Sequence, residues 1–417
     1  MHVAMVLRQF SPFGGLELYS FELVKGLLER GFRVTVICEK DDTGYKHDRL
    51  SIVKFAAPPA AANKADKIRH YYQVASEAVS EAGPFDLVHS QHFPIKSVDI
   101  VTFHNHTIFR LTEVGQRWEQ LLNLIKVNTS EAYKLRDQHD RELCHQARCL
   151  IFPARVCEDD FERQYGFKGK HLAIAHPGAS SNNPPTSSKP ETKQETTKIT
   201  SETSSAADSA VEAARTSTGP GTGIGGAGAV NPGQTFNFLF VGKGYRKKGL
   251  DVLQQACRIL VSHKKSFKLY IAGLKLKPAD RARLALNGLS DHVEYLGFQK
   301  DMNAVYQKSS CIILPSRIEP FGMAPIEGML RGLVPIVSRV CGVAEVLSDE
   351  KDSLILEDHL KVQELAALME KLIDNPDFCK ALSGKAIETA RQLDWNQTVE
   401  STISAYNSVL STSVPSK

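Results

Sequence analysis

The sequence predicts an α/β protein of two Rossmann-like domains, each a doubly wound parallel sheet, facing across a cleft. Short apolar runs alternate with helical patterns from the first residues, the βαβα order of a parallel sheet. The alternation restarts at Phe236. Between the two blocks, 180–234 turns to Ser, Thr, Pro, Lys and Glu, then to Gly and Ala. That segment has no aromatic residue and only four of Val, Ile and Leu. Burial there cannot offset the entropy of ordering, so it reads as a disordered linker with an insertion. A chain of 417 residues is long for one core and suits two domains. The boundaries read as 1–179, 180–234 and 235–393, with 394–417 a last helix and tail.

Val3–Leu7 reads as a buried first strand and Leu16–Arg30 as a helix that Gly31 stops. Further strands are predicted at Val34–Cys38, Asp86–His89, Asp99–Phe103 and Cys149–Pro153, and one or two long amphipathic helices over 116–146. In the second block, strands are predicted at Phe236–Val241, Lys268–Ala272, His292–Gly297, Cys311–Leu314 and Val334–Val337. Helices over 249–263, 277–286 and 302–308 alternate with them. Two closing helices, 362–374 and 376–392, and a last one from Trp395 to about Leu410 complete the chain.

Charged residues at 24% and apolar residues at 42% are ordinary for a globular protein. The net charge of +4 is spread along the chain, with no basic run interleaved with aromatics, so no nucleic-acid partner is expected. No apolar run approaches the roughly 20 residues of a membrane span. The opening Met1–Arg8 is too short for a signal-peptide core and lacks a basic leader, so a cytoplasmic location is expected. The eight Cys form no C-x-x-C pair and read as reduced structural thiols, not metal ligands.

The most informative stretch is Ile318–Met329, where Glu319 and Glu327 lie eight residues apart around a strand–loop–helix turn. Gly322 lets backbone amides approach a ligand, and a helix start suits a phosphate. Two acceptor-only carboxylates beside an anion site suit a nucleotide sugar. A second cluster, Val241–Leu250, carries Lys243, Arg246, Lys247 and Lys248 among glycines after a strand. Such charge is what a pyrophosphate leaving group needs. A third loop, Phe10–Leu16, places Gly14 and Gly15 at the carboxyl end of the first strand, where open α/β sheets bind ligands. A fourth, Val101–Thr107, offers His104 and His106 at another strand end. A neutral His there orients a sugar hydroxyl.

In their order along the chain the motifs resemble the retaining GT-B glycosyltransferases of family 4 (glycosyl transferases group 1). By pattern they look most like the transferases that glucosylate heptose in the lipopolysaccharide core. The resemblance covers nearly all of the chain outside 180–234. It implies that Glu327 takes the donor ribose and Glu319 the sugar side, with Phe321, Gly322, Met323 and Ala324 lining the donor. Lys248 matches the family's phosphate-binding Lys. Lys243 stands where many members have Arg, leaving Arg246 or Lys247 to substitute. His104 matches the family's His near the reacting sugar, with His106 the alternative in a shifted register. His176–Gly178 looks like the turn ending the first domain. Cys341–Glu345 looks like the Gly-rich turn beside the donor, with Gly342 packed close to the nucleotide. The 86–92 strand matches another family strand and is assigned only a structural role. The last helix is expected to return to the first domain.

The resemblance implies sugar transfer with retention by same-face attack, the leaving phosphate taking the acceptor proton. No D-x-D triplet occurs, so no metal and no cofactor are expected beyond the donor. The acceptor is a glycan or a glycolipid docked on the first domain. The alternatives are a nucleotide-sugar epimerase or hydrolase of the same architecture, and a catalytically idle nucleotide-sugar-binding partner. The 116–141 region, with Lys126, Lys134 and Arg136 beside Leu121, Leu122, Leu124 and Ile125, reads either as a peripheral contact with an anionic membrane or as a core helix pair.

Overall fold

The computed structural model describes residues 1–167, 169–179, 235–299 and 301–411. The linker and insertion predicted at 180–234 lies outside the described residues. The first domain holds a seven-stranded sheet in the spatial order Leu50–Lys54, Arg33–Cys38, His2–Val6, Leu87–Ser90, Ile100–Thr102, Cys149–Phe152, His171–Ile174. Every pairing in it is parallel. The second holds a six-stranded parallel sheet in the order Val293–Gly297, Phe267–Ala272, Phe236–Val241, Cys311–Leu314, Val334–Ser338, Leu354–Leu356.

In each sheet the chain builds outward from its first strand in one direction, then returns to build in the other. The switch lies beside His2–Val6 in one domain and between Phe236–Val241 and Cys311–Leu314 in the other. A crevice opens outside the carboxyl ends of the strands at such a point. The loops after Val241 and after Leu314 therefore meet.

The first domain also contains Leu50–Lys54, Lys64–Ala82, Arg155–Tyr165 and His171–Ile174, and the second contains Leu354–Leu356, none of them predicted. Lys64–Ala82 buries only Ala65, Ala75 and Ala78, so it has little apolar periodicity to read. The region over 116–146 is two helices, Arg117–Thr129 and Glu131–Gln146, broken at Ser130. Arg117–Thr129 buries only Val127, which excludes a core role for that helix.

The last helix, Trp395–Ser411, packs on Gly15–Glu29 of the first domain. Val399 fills the notch at Gly26, where a Cβ would come within 2.4 Å of Val399 Cγ2. Tyr406 Oη shares a hydrogen bond with His89 Nδ1 at 2.8 Å. Between the domains, Ala154 packs in one apolar cluster with Leu314, Phe321 and Val343. Glu345 of the second domain accepts the free N–H groups of Arg155 (2.8 Å) and Val156 (2.7 Å), capping the Arg155–Tyr165 helix of the first. No helix among the described residues is long and apolar enough to cross a membrane.

Candidate active site

Gly249 starts the Leu250–Ser262 helix with φ 74°. A Cβ there would fall 1.9 Å from the carbonyl oxygen of Pro315, so only glycine lets the basic loop lie against the Glu319 loop. Arg317 staples the two. Its guanidinium holds Asp251 in a bidentate pair at 2.7 Å for each bond, and Nη1 donates to the Arg246 carbonyl at 2.5 Å. Its backbone N–H donates to the Lys247 carbonyl at 3.0 Å. Arg317 is 5% exposed and is a site residue that the sequence reading missed. Its signal was an Arg two residues before Glu319 and an Asp two residues after Gly249.

Stapled this way, the loops bring Lys248 Nζ into an ion pair with Glu319. Glu319 is buried. Glu327 lies half-buried on the Met323–Met329 helix and accepts a hydrogen bond from Tyr306 Oη at 2.8 Å. Burial first, and then Glu327, pushes the Tyr306 phenol well above its ordinary range, so it stays a donor. Gly322 precedes this helix with φ 101°, and Met323 and Ala324 are half-buried at its start. Lys243 and Lys247 are exposed on the basic loop.

Three residues assigned to the donor also have protein partners. Arg246 pairs with Glu119 of the first domain and lies 4.8 Å over the Trp118 ring, because a carboxylate and an indole face together hold a guanidinium. Partial burial alone would raise the Glu119 carboxyl, but the Gln116 N–H and Arg246 outweigh it and the net shift is downward. Phe321 is buried in the interdomain cluster, with its ring 5.6 Å from that of His176. At Gly342 a Cβ would meet Pro320 O at 2.1 Å and Ala154 Cβ at 2.6 Å, so only glycine lets this turn pack against the Pro320 loop and the first domain.

On the first domain, Gly14 precedes the Gly15–Glu29 helix with φ 111°, and no side chain caps that helix start. His104 sits half-buried beside Tyr19, ring centroids 4.8 Å apart. Its Nε2 hydrogen-bonds Gln91 Oε1 at 2.8 Å. Gln91 leans on His89 at 3.1 Å, and His89 bridges Tyr406 (2.8 Å) and Thr102 (2.7 Å). The 86–92 segment therefore sets the orientation of His104, beyond the structural role assigned to it. Burial first, with His92 and His89 adding, holds the His104 imidazole well below its usual range, so it is neutral.

His106 is buried, its Nδ1 3.1 Å from Asp160 Oδ2 and its Nε2 3.8 Å from the Cys157 thiol. Asp160 also accepts the Thr107 N–H at 2.9 Å, which fixes the orientation of the His106 ring. Burial and then Glu319 push the Cys341 thiol up to about 12, which removes it as a nucleophile. Among the described residues no group of His, Cys, Asp or Glu could hold a metal ion.

Residues 13–182 match the model of Glycosyltransferase Family 4, and residues 229–389 match that of Glycosyl transferases group 1. The chain belongs to this glycosyltransferase family. Curated relatives include an uncharacterized glycosyltransferase of Methanocaldococcus jannaschii, 31% identical over 39% of this chain and 46% of its own length. A GDP-mannose:cellobiosyl-diphosphopolyprenol alpha-mannosyltransferase of Xanthomonas campestris is 28% identical over 45% of this chain and 50% of its own length. The chain thus spans about half the length of the curated relatives it matches.

Among solved structures, the glycosyltransferase fold matches WaaG, a glycosyltransferase involved in lipopolysaccharide biosynthesis, with a TM-score of 0.69 at 16% identity over 96% of this chain and 98% of that one. Anabaena HepE in complex with UDP-glucose gives a TM-score of 0.61 at 14% identity over 98% of this chain and 100% of that one. These likenesses establish the GT-B architecture of two parallel-sheet domains.

Proposed function

We propose that the protein is a retaining glycosyltransferase that moves a sugar from a nucleotide-diphosphate sugar to a glycan or lipid-linked acceptor, in the synthesis of cell-envelope polysaccharide or lipopolysaccharide. The observation that carries the reading is the half-buried Lys248–Glu319 pair at the switch point of the donor domain, one helix turn and loop from Glu327. In this reading Glu327, steadied by Tyr306, accepts from the ribose hydroxyls. Lys248, with Lys243 and Lys247 at the cleft, offsets the charge that grows on the departing pyrophosphate. Glu319 holds Lys248 and accepts from the transferred sugar. His104, neutral and oriented by Gln91, meets a sugar hydroxyl from the facing domain. The acceptor attacks from the face the leaving group departs, and the leaving phosphate takes its proton.

The Anabaena HepE complexes with UDP and with UDP-glucose support the donor class. The lipid-linked acceptor in the name of the Xanthomonas relative supports the acceptor class. A cytoplasmic protein resting on the inner membrane face fits such an acceptor. Trp118, Leu121, Leu122, Leu124 and Ile125 of the Arg117–Thr129 helix are each 46–59% exposed, an apolar face suited to a bilayer surface.

The reading is tested by calorimetric titration with UDP, GDP and ADP, alongside Glu327→Ala. Tight binding of one nucleotide, weakened in the variant, is expected. Absence of binding to all three would overturn the nucleotide-sugar reading. Consumption of donor without any acceptor would indicate an epimerase or hydrolase instead.

A further inference from the structure

We infer that the first domain carries a subsite for a phosphorylated, hydroxyl-bearing group of the acceptor, in the basic pocket between the Lys64–Ala82 and Glu131–Gln146 helices. The inference rests on the transferase reading above and specifies the chemistry of its acceptor.

The pocket has a volume of about 620 Å³, within the roughly 300–1,000 Å³ of small-molecule sites. It opens at the carboxyl edge of the first sheet, where ligands collect. Arg8 follows the His2–Val6 strand and Glu39 follows Arg33–Cys38. Gly14 and Gly15 leave the same edge. Lys64, Lys67, Ile68 and Tyr71 share one helical face by their three- and four-residue spacing, and Arg136 faces them from the second helix.

Four cations, Arg8, Lys64, Lys67 and Arg136, line this space against one carboxylate, Glu39. Glu39 is already engaged. It accepts from Tyr71 Oη at 2.8 Å and lies 3.7 Å from Arg8 Nε. Two further acids at the helix starts, Asp66 and Glu131, are both held by Arg69, so they do not cancel the lining charge. Arg136 has Asp140 at 4.0 Å on its own helix, and that carboxylate is shared with His92 at 2.9 Å. Among the described residues, neither Lys64 nor Lys67 has a carboxylate within 4.0 Å.

Clustered like charges repel, and an anion in their midst relieves the repulsion. A phosphate monoester carries close to two charges and several acceptor oxygens at neutral pH, matching more of these donors than a carboxylate does. Ile68 and the Tyr71 ring give an apolar wall for a sugar face. An acceptor anchored here by its phosphate presents its remaining hydroxyls to the cleft.

The test uses the full chain and calorimetry with three probes: a hexose 6-phosphate, the same hexose without phosphate, and monomeric dihexanoyl-phosphatidylglycerol. Lys67→Gln/Arg136→Gln and Lys248→Ala are titrated in parallel. The expected result is that a phosphate-bearing probe binds at least tenfold more tightly than the plain hexose. The double variant loses that binding tenfold or more, and Lys248→Ala keeps it. Preference for the hexose phosphate marks a soluble phosphorylated glycan, and preference for the lipid marks a lipid-linked acceptor.

Equal affinity for hexose and both phosphates, an unaffected double variant, or loss only in Lys248→Ala would each overturn the subsite. Nucleotide titration separates the two readings. Nucleotide binding intact in the double variant, with no phosphate-dependent binding, removes the subsite and leaves the transferase. Phosphate-dependent binding with no nucleotide bound removes the transferase reading.

Discussion

Lys248 and Glu319 come from loops 71 residues apart and form one ion pair at the floor of the donor crevice. The side chains are 24% and 11% exposed, so the pair works in a partly dry site where charge acts strongly. We expect Lys248→Ala to lower turnover by about 10²–10³, the scale of one lost electrostatic stabiliser. Near-normal turnover in steady-state assays would remove Lys248 from the mechanism.

Glu327 holds one hydrogen bond from Tyr306 and stands half-buried. Glu327→Ala should weaken nucleotide binding by about 10- to 100-fold, the loss of a charged hydrogen-bond partner at about 1.5–3 kcal/mol. Tyr306→Phe should weaken it less, since it removes only the support. Calorimetry on both variants checks the order, and equal affinities in wild type and Glu327→Ala would refute the ribose role.

The strain and clash at Gly249 give a stability prediction. Gly249→Ala places a Cβ against the Pro315 carbonyl and forces a left-handed φ, itself worth about 1–2 kcal/mol. Urea denaturation should show at least that loss, and turnover should fall with it as the two loops part. Gly15→Ala, with nothing within 4 Å of the added Cβ, is the matched control and should be near neutral.

Arg246 joins the domains through Glu119 and Trp118. The Arg246 side chain is 48% exposed. A half-exposed pair couples weakly, so a double-mutant cycle for Arg246→Ala and Glu119→Ala should give less than about 1 kcal/mol in stability. The same substitutions should alter the opening of the cleft, read by small-angle scattering. A coupling several times larger would mean that the link is a structural strut.

Burial holds the His89 imidazole down at about 3, and His104 is lowered as well. The unfolded chain takes up these protons near pH 6.5, before the folded one does. Stability is therefore full above about pH 6.5 and falls as the pH drops toward 3, at about 1.4 kcal/mol per pH unit for each His. Urea midpoints at pH 7, 6 and 5 should fall in step, and His89→Gln should flatten the slope.

The strands that build both sheet centres were legible because buried parallel strands are short, continuous apolar runs, as in Val3–Leu7 and Cys311–Leu314. The Glu pair and Lys248 were legible because each follows such a strand. Leu354–Leu356 is too short to carry a pattern. Lys64–Ala82 buries only alanines and shows no stripe.

By itself the sequence determined the two-sheet architecture, the change in composition at 180–234, and which loops leave the carboxyl strand ends. These follow from local periodicity and composition, which each segment carries alone. Tertiary structure alone decided that Arg317 staples the two loops, that Arg246 reaches Glu119, that Gly342 faces Pro320 and Ala154, and that His106 meets Asp160 while His104 meets Gln91. Each is a contact between residues distant in the chain. Which of several nearby cations or imidazoles meets a given carboxylate depends on how the domains pack, and no local pattern records that.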